Sequence, residues 1–315
     1  MNNNEIIYWL LEGDVSIQYQ VNRDLLSTER SDLRKRISGE GWGKKLLSAR
    51  KSSGHWGLKF YQPKWTSTHY TLLDLRNLCV EPDNPLIKQS VELIVKTEKG
   101  ADGGMNPSGT IKQSDVCLNG MFLNYASYFK TDNNHLTSVV DFILSQVMPD
   151  KAFNCMFNRS GARHGSLHST LSVLEGITEY SKGGYKYRLN EINEVETGAK
   201  EFILEHRLFM SDRTGDIINK DFLKLPYPSR WRYDILRALD YFRHAGDGLD
   251  RRMEPAIDIL LDKRNRNRTW NLQAHHPGQV HFEMEKAGKP SRWNTLRVLR
   301  LFKHFGIEEM KINIK

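Results

Sequence analysis

The chain has 315 residues, 39% of them hydrophobic and 27% charged, and a formal net charge of +8. This is the composition of a soluble globular protein, and no apolar run approaches the ~20 residues of a membrane helix, which excludes a membrane span. Cys79, Cys117 and Cys155 are few and widely spaced, so no disulfide framework is expected, and the N-terminus lacks a basic leader and cleavage site, which together fit a cytoplasmic, reducing setting.

Residues 5–12 read as a short helix ended by Gly13-Asp14. Ile17 to Leu26 reads as a second helix, and Glu40 to Arg50 as its partner. Then a figure begins to recur. His69 is followed at three-residue steps by Leu72 and Leu75, Asp115 by Leu118 and Met121, His168 by Leu171 and Leu174, and Trp293 by Leu296 and Leu299. That spacing puts each apolar pair on one helix face. Ser229-Arg-Trp231 opens a fifth copy that slips by about one residue, and Tyr19 marks a degenerate first copy, 50 residues before His69. The anchors His69, Asp115, His168, Trp231 and Trp293 lie 46, 53, 63 and 62 residues apart. Periods of this size indicate repeated units that bury their apolar faces against one another.

Four Gly/aromatic turns each follow an outer helix and precede an anchor. The outer helices are expected at Asn84–Glu98, Leu136–Met148, Val195–Leu208 and Met253–Arg264. The turns are Gly54-His-Trp-Gly57, Gly103-Gly-Met-Asn106, Phe153-Asn-Cys155 and Arg268-Thr-Trp-Asn-Leu272. Residues 181–194 and 211–228 read as surface insertions. The result is an all-α chain of six helical hairpins, which can stack as an open solenoid or close into a ring.

Three groups of residues could carry chemistry. Asp115, Cys117 and His168 open neighbouring inner helices, and carboxylate, thiolate and imidazole make a zinc set with one open position. Residues i and i+2 inside a helix point apart, so this needs Asp115 at the N-cap. On spacing alone the plainer reading is favoured: a capping Asp115, a small buried Cys117 and a hydrogen-bonded His168. Cys155, His164 and His168 form a weaker group, and His275, His276 and His281 sit together on a loop. Arg230 and Arg292 each follow a serine at an expected helix start, where free N–H groups and a guanidinium suit a diphosphate; the alternative is a packing motif. The tryptophans and tyrosines, among them Trp56, Trp65, Trp231, Trp270, Trp293, Tyr70 and Tyr233, either line an apolar cavity or are plain core. From Ser229 onward there are 18 Lys and Arg against 11 Asp and Glu, so most of the excess charge lies in the last quarter.

The alternation of inner helices with Gly/aromatic turns, from about Ser16 to the C-terminus, resembles the terpenoid cyclase and protein prenyltransferase superfamily. It is closest to bacterial members described as having prenyltransferase or squalene-oxidase repeats. The resemblance implies an α6/α6 toroid, one domain over residues 1–315. Asp115 and Cys117 fall on the family's Asp-x-Cys and His168 on its next-helix histidine, which implies zinc. Lys112, three residues before the Asp, falls on its diphosphate-binding lysine. Gly109 and Leu118 stand where the prenyltransferases have arginine and tyrosine, and those enzymes need a separate helical subunit, so a partner chain is left open. No Asp-x-Asp-Asp acid run exists in the sequence, which argues against a protonating cyclase.

The expectation is therefore a toroid that binds an isoprenoid diphosphate or similar amphipathic lipid, with catalysis left open and a zinc-assisted, prenyltransferase-like transfer as the reaction if there is one. Its cavity would be lined by His69, Tyr70, Trp231, Tyr233 and Trp293, with Lys112, Arg230 and Arg292 on the diphosphate. The rival is a non-catalytic ligand- or protein-binding scaffold of the same fold. Nucleic-acid binding through the basic C-terminal face is a weaker third, for want of a recognised motif.

Overall fold

A computed structural model describes residues 1–108 and 110–307, so Gly109 and residues 308–315 lie outside it. The chain is predominantly helical. Among the described residues the strands are one short antiparallel pair, Trp270–Asn271 with Pro290–Ser291. No helix there is long and apolar enough to cross a membrane.

The helices are α1 (Asn3–Leu11), α2 (Val15–Gln20, continued by a π turn to Leu25), α3 (Ser31–Arg36), α4 (Gly41–Ser48), α5 (Thr68–Asn77), α6 (Pro85–Thr97) and α7 (Val116–Tyr128). They continue with α8 (Asn133–Ser145), α9 (Phe157–Ser160), α10 (Leu167–Lys182), α11 (Leu189–Glu205), α12 (Ile235–Ala245), α13 (Glu254–Asp262) and α14 (Arg292–Phe305). Local chemistry sets many of their ends. Asn84 caps α6 with proline at its first position, and Asp132 caps α8. Gly246 and Gly306 end α12 and α14 in the left-handed conformation.

The repeated figure falls on α2, α5, α7, α10, α12 and α14, which are buried along most of their length. Contacts run from α5 to α7, α7 to α10, α10 to α12, α12 to α14, and from α14 back to α1 and α2. The Gln20 amide donates to the Asn77 carbonyl at 3.1 Å, which joins α2 to α5. Helices α7 and α10 approach most closely, at Gly120 and Gly176. A Cβ on Gly176 would stand 2.3 Å from the Gly120 carbonyl oxygen, so only glycine permits that crossing.

The Gly/aromatic turns clamp each outer helix to the next repeat helix. The Trp56 indole donates to the Leu46 carbonyl and the Trp270 indole to the Leu260 carbonyl, both at 2.6 Å. The turn N–H groups of Trp56, Met105, Phe153 and Trp270 in turn donate to Thr68, Asn119, Thr170 and Thr295. These bonds satisfy backbone groups that the turns would otherwise bury unpaired.

Several expected starts move, and helix α8 begins at Asn133, three residues before Leu136. Helix α11 begins at Leu189, six residues before Val195, because Leu189 to Glu194 are helical and Ile192 is buried, so part of the expected insertion is helix. Helix α12 begins at Ile235 with Asp234 as its cap, so Ser229-Arg-Trp231 precedes the helix and does not open it. Cys117 and Cys155 lie sulfur against sulfur although 38 residues apart in sequence, because the start of α7 and the turn before α10 are neighbours in space.

Candidate functional site: a cavity lined by arginines

A cavity of about 160 Å³ receives side chains from all six repeat helices and from Tyr227, Ser229 and Arg230. Its chemistry comes from a recurring position. Arg76, Glu175, Asp240 and Arg300 each lie four residues after the first leucine of their figure (Leu72, Leu171, Leu236 and Leu296), and all four face the cavity. A residue four places on sits on the same helix face, so the seam that packs the helices ends in charge.

The charges form a connected set. Asp240 accepts from Arg300, from Arg243 at 2.7 Å and from Arg297 at 3.4 Å. Arg300 also reaches Asp24 at 3.1 Å and Gln20 at 3.0 Å, tying α14 to α2. Arg23 clasps Asp24 at 2.6 and 3.0 Å. Arg237 holds Glu175 through two bonds of 2.9 and 2.6 Å. Arg76 and His244 share Glu179, and Arg230 pairs with buried Asp74. Seven guanidinium groups face the cavity, and five carboxylates pair with them. The balance is positive.

Most of the carboxylates are held ionised. Burial opposes the charge on Glu179, but Arg76 and His244 outweigh it and hold the carboxyl down to about 2. Burial likewise works against Asp240, yet Arg300, Arg243 and Arg297 keep it well below the usual carboxylate range. Asp74 is the exception: burial raises its carboxyl beyond what Arg230 offsets. Not all donor capacity is used. Arg297 is only 5% exposed, and its Nη1 has no hydrogen-bond partner; the Nε of Arg76 is also buried without one. A buried guanidinium donor without an acceptor costs about 1–3 kcal/mol, which an anion in the cavity would offset.

The residues singled out in the sequence are distributed differently. The Arg230 guanidinium lines the cavity and lies 5.7 Å over the Trp65 ring. Arg292 does not line it: its Nε donates to the Trp9 carbonyl at 2.8 Å, and the guanidinium lies over the Trp9 ring and near Glu12. Lys112 is exposed on the loop before α7, and neither it nor Asp115 is on the cavity wall. Of the five expected lining residues, Trp293 alone faces the cavity, its ring tilted against that of Tyr227 at 4.5 Å. His69 is fully buried, with Nδ1 3.2 Å from the Tyr125 hydroxyl, and burial takes its imidazole down to about 3. The Tyr70 hydroxyl meets that of Tyr61 at 3.0 Å, and the Tyr233 hydroxyl donates to the Leu208 carbonyl. Trp231 packs on His168 at 5.1 Å.

Asp115, Cys117 and His168, the expected zinc set, are drawn into other contacts as arranged. The Cys117 sulfur lies against that of Cys155, and Asp115 stands at the N-cap of α7. His168 Nδ1 accepts the Tyr233 N–H at 2.8 Å. Burial first, then Arg237 and Arg232, bring that imidazole down to about 4. His164 Nε2 meets Arg213 at 3.0 Å. Among the described residues no group of three or more His, Cys, Asp or Glu side chains is placed to share a metal.

The sequence signal for the cavity arginines lies in Leu236-Arg237-Ala-Leu239-Asp240 and Leu296-Arg297-Val-Leu299-Arg300, which place charge inside an otherwise apolar seam. In comparisons with known proteins, no family model matches the chain and no curated protein matches it.

Proposed function

We propose that the six hairpins close into an α6/α6 toroid whose hole is the arginine-lined cavity, and that the cavity binds a small polyanion with phosphate or diphosphate chemistry. The closed form is supported by contacts that pass from each repeat helix to the next and return from α14 to α2. The observation that carries the ligand reading is Arg297, a buried guanidinium with a donor left over, in a cavity where guanidinium groups outnumber carboxylates. Guanidinium is suited to phosphate because its planar fork of donors matches the oxygen geometry.

The reading keeps the diphosphate of the family resemblance and moves it from the helix starts to the middle of the helices. It does not call on an isoprenoid tail; the walls mix guanidinium, carboxylate and amide groups with the rings of Tyr128, Tyr227, Tyr241 and Trp293. It assigns no reaction. The lining carboxylates are ion-paired, so a protonating cyclisation has no acid among them. Zinc has no place in it, and a nucleic-acid polymer does not suit a site of this size.

The test is titration of inorganic phosphate and pyrophosphate into the intact chain at low and high salt. Binding is expected for both, tighter for pyrophosphate, and weaker as salt rises. No binding of either anion, or an affinity indifferent to salt, overturns the reading.

A further inference from the structure

A second chamber, of about 210 Å³, lies under the loop of residues 273–285 and shares only Arg230 with the arginine cavity. The loop is held down at several points. The Trp65 indole donates to the Pro277 carbonyl at 2.6 Å, His281 Nε2 meets the Thr71 hydroxyl at 2.9 Å, and Gly278 (φ 134°) sits so close to Trp65 that a Cβ there would stand 2.5 Å from the indole. The chamber is therefore a walled space and not a gap beneath loose chain.

Three polar atoms of its lining residues are unmatched. Asp74 is 2% exposed, and while its Oδ2 holds Arg230, its Oδ1 has no partner. The Nε2 atoms of His275 and His276, on the same lining, are also buried without partners. Three such atoms around one space are unusual, because buried polar groups are normally satisfied. Burial, with Arg232 and Arg230 nearby, brings His276 down to about 4, so its ring is neutral at physiological pH.

The lining limits what could satisfy them. An anion would face Asp74 and Glu283. A simple cation would face Arg230, and no metal-sharing group stands there among the described residues. A hydroxyl can donate to the Asp74 carboxylate and can either donate to or accept from a neutral imidazole. Phe282, Met284 and Leu46 supply apolar surface beside these groups, as a C–H face requires. We propose that this chamber is a second binding site and takes a hydroxyl-rich ring, a monosaccharide or cyclic polyol.

The experiment uses the intact chain with glucose, galactose, mannose and myo-inositol as probes at millimolar concentrations. Saturation-transfer NMR reports contact, and tryptophan fluorescence reports on Trp65, whose ring centroid is 6.4 Å from that of His276. At least one probe should bind wild type. A His275→Ala/His276→Ala double variant should lose about tenfold or more in affinity, the worth of roughly one hydrogen bond to a buried group. Pyrophosphate titrated into the same double variant reports the arginine cavity separately and should bind as in wild type. The proposal is overturned if no probe binds wild type, or if the double variant binds the same probe equally well. Either result leaves the pyrophosphate reading standing or falling on its own titration.

Discussion

The tetrapeptide Pro-Ser-Arg-Trp occurs twice, at Pro228–Trp231 and at Pro290–Trp293, and the two copies are built differently. In the second, Ser291 caps α14 by accepting the Asn294 N–H at 2.9 Å, and Arg292 turns outward onto Trp9 and Glu12, a carboxylate 71% exposed. In the first, Ser229 caps nothing. Its hydroxyl donates to Asp234, which itself caps α12 by accepting the Arg237 N–H at 2.8 Å. The freed segment bends, Arg230 takes a positive φ of 58°, and its guanidinium turns inward to pair with Asp74. The difference lies downstream: five residues after Ser229 stands Asp234, which takes the helix end, whereas five residues after Ser291 stands Leu296, which has no capping oxygen. Four identical residues thus put one arginine into a cavity and the other onto the surface.

Substitutions should separate the two copies by size of effect. Arg230→Ala strands the buried Asp74 carboxylate and should cost about 3–5 kcal/mol in denaturant unfolding. Asp234→Ala removes the true cap of α12 and the acceptor of Ser229, and should cost about 1–2 kcal/mol, with Ser229→Ala much smaller. Arg292→Ala loses an exposed pair and a stacked contact and should cost about 1 kcal/mol or less. Equal losses for Arg230→Ala and Arg292→Ala would remove the contrast, and a Ser229→Ala loss matching that of Asp234→Ala would return the cap to the serine.

Much of the helix order was legible in the sequence. The leucine spacing identifies the repeat helices, and Asn84-Pro85 marks the start of α6 to within a residue, because caps and apolar periodicity are local properties. The start of α12 was not legible, since Ser229 and Asp234 are both good caps and tertiary pairing of Arg230 decides between them. The α11 start was hidden by Gly183-Gly184, which reads as loop although the helix resumes at Leu189. The cavity was hidden for a different reason. Arg237, Arg297 and Arg300 look like solvated charges at the edge of an amphipathic stripe until six such stripes face one another. The Cys117–Cys155 contact shows the same limit, because 38 residues of sequence separation conceal adjacent turns.

The central claim, that the inward-facing arginines bind an anion and the outward one does not, is tested most directly by titrating pyrophosphate into wild type, Arg297→Met and Arg292→Ala at one low salt concentration. Asp240 keeps Arg300 and Arg243 when Arg297 is lost, so the first variant should remain folded, and circular dichroism checks this. A charge-assisted bond to a phosphate oxygen is worth roughly 1.5–3 kcal/mol, so Arg297→Met should weaken binding by about one to two orders of magnitude while Arg292→Ala leaves it unchanged. Wild-type affinity in folded Arg297→Met, or the larger loss in Arg292→Ala, would contradict the account.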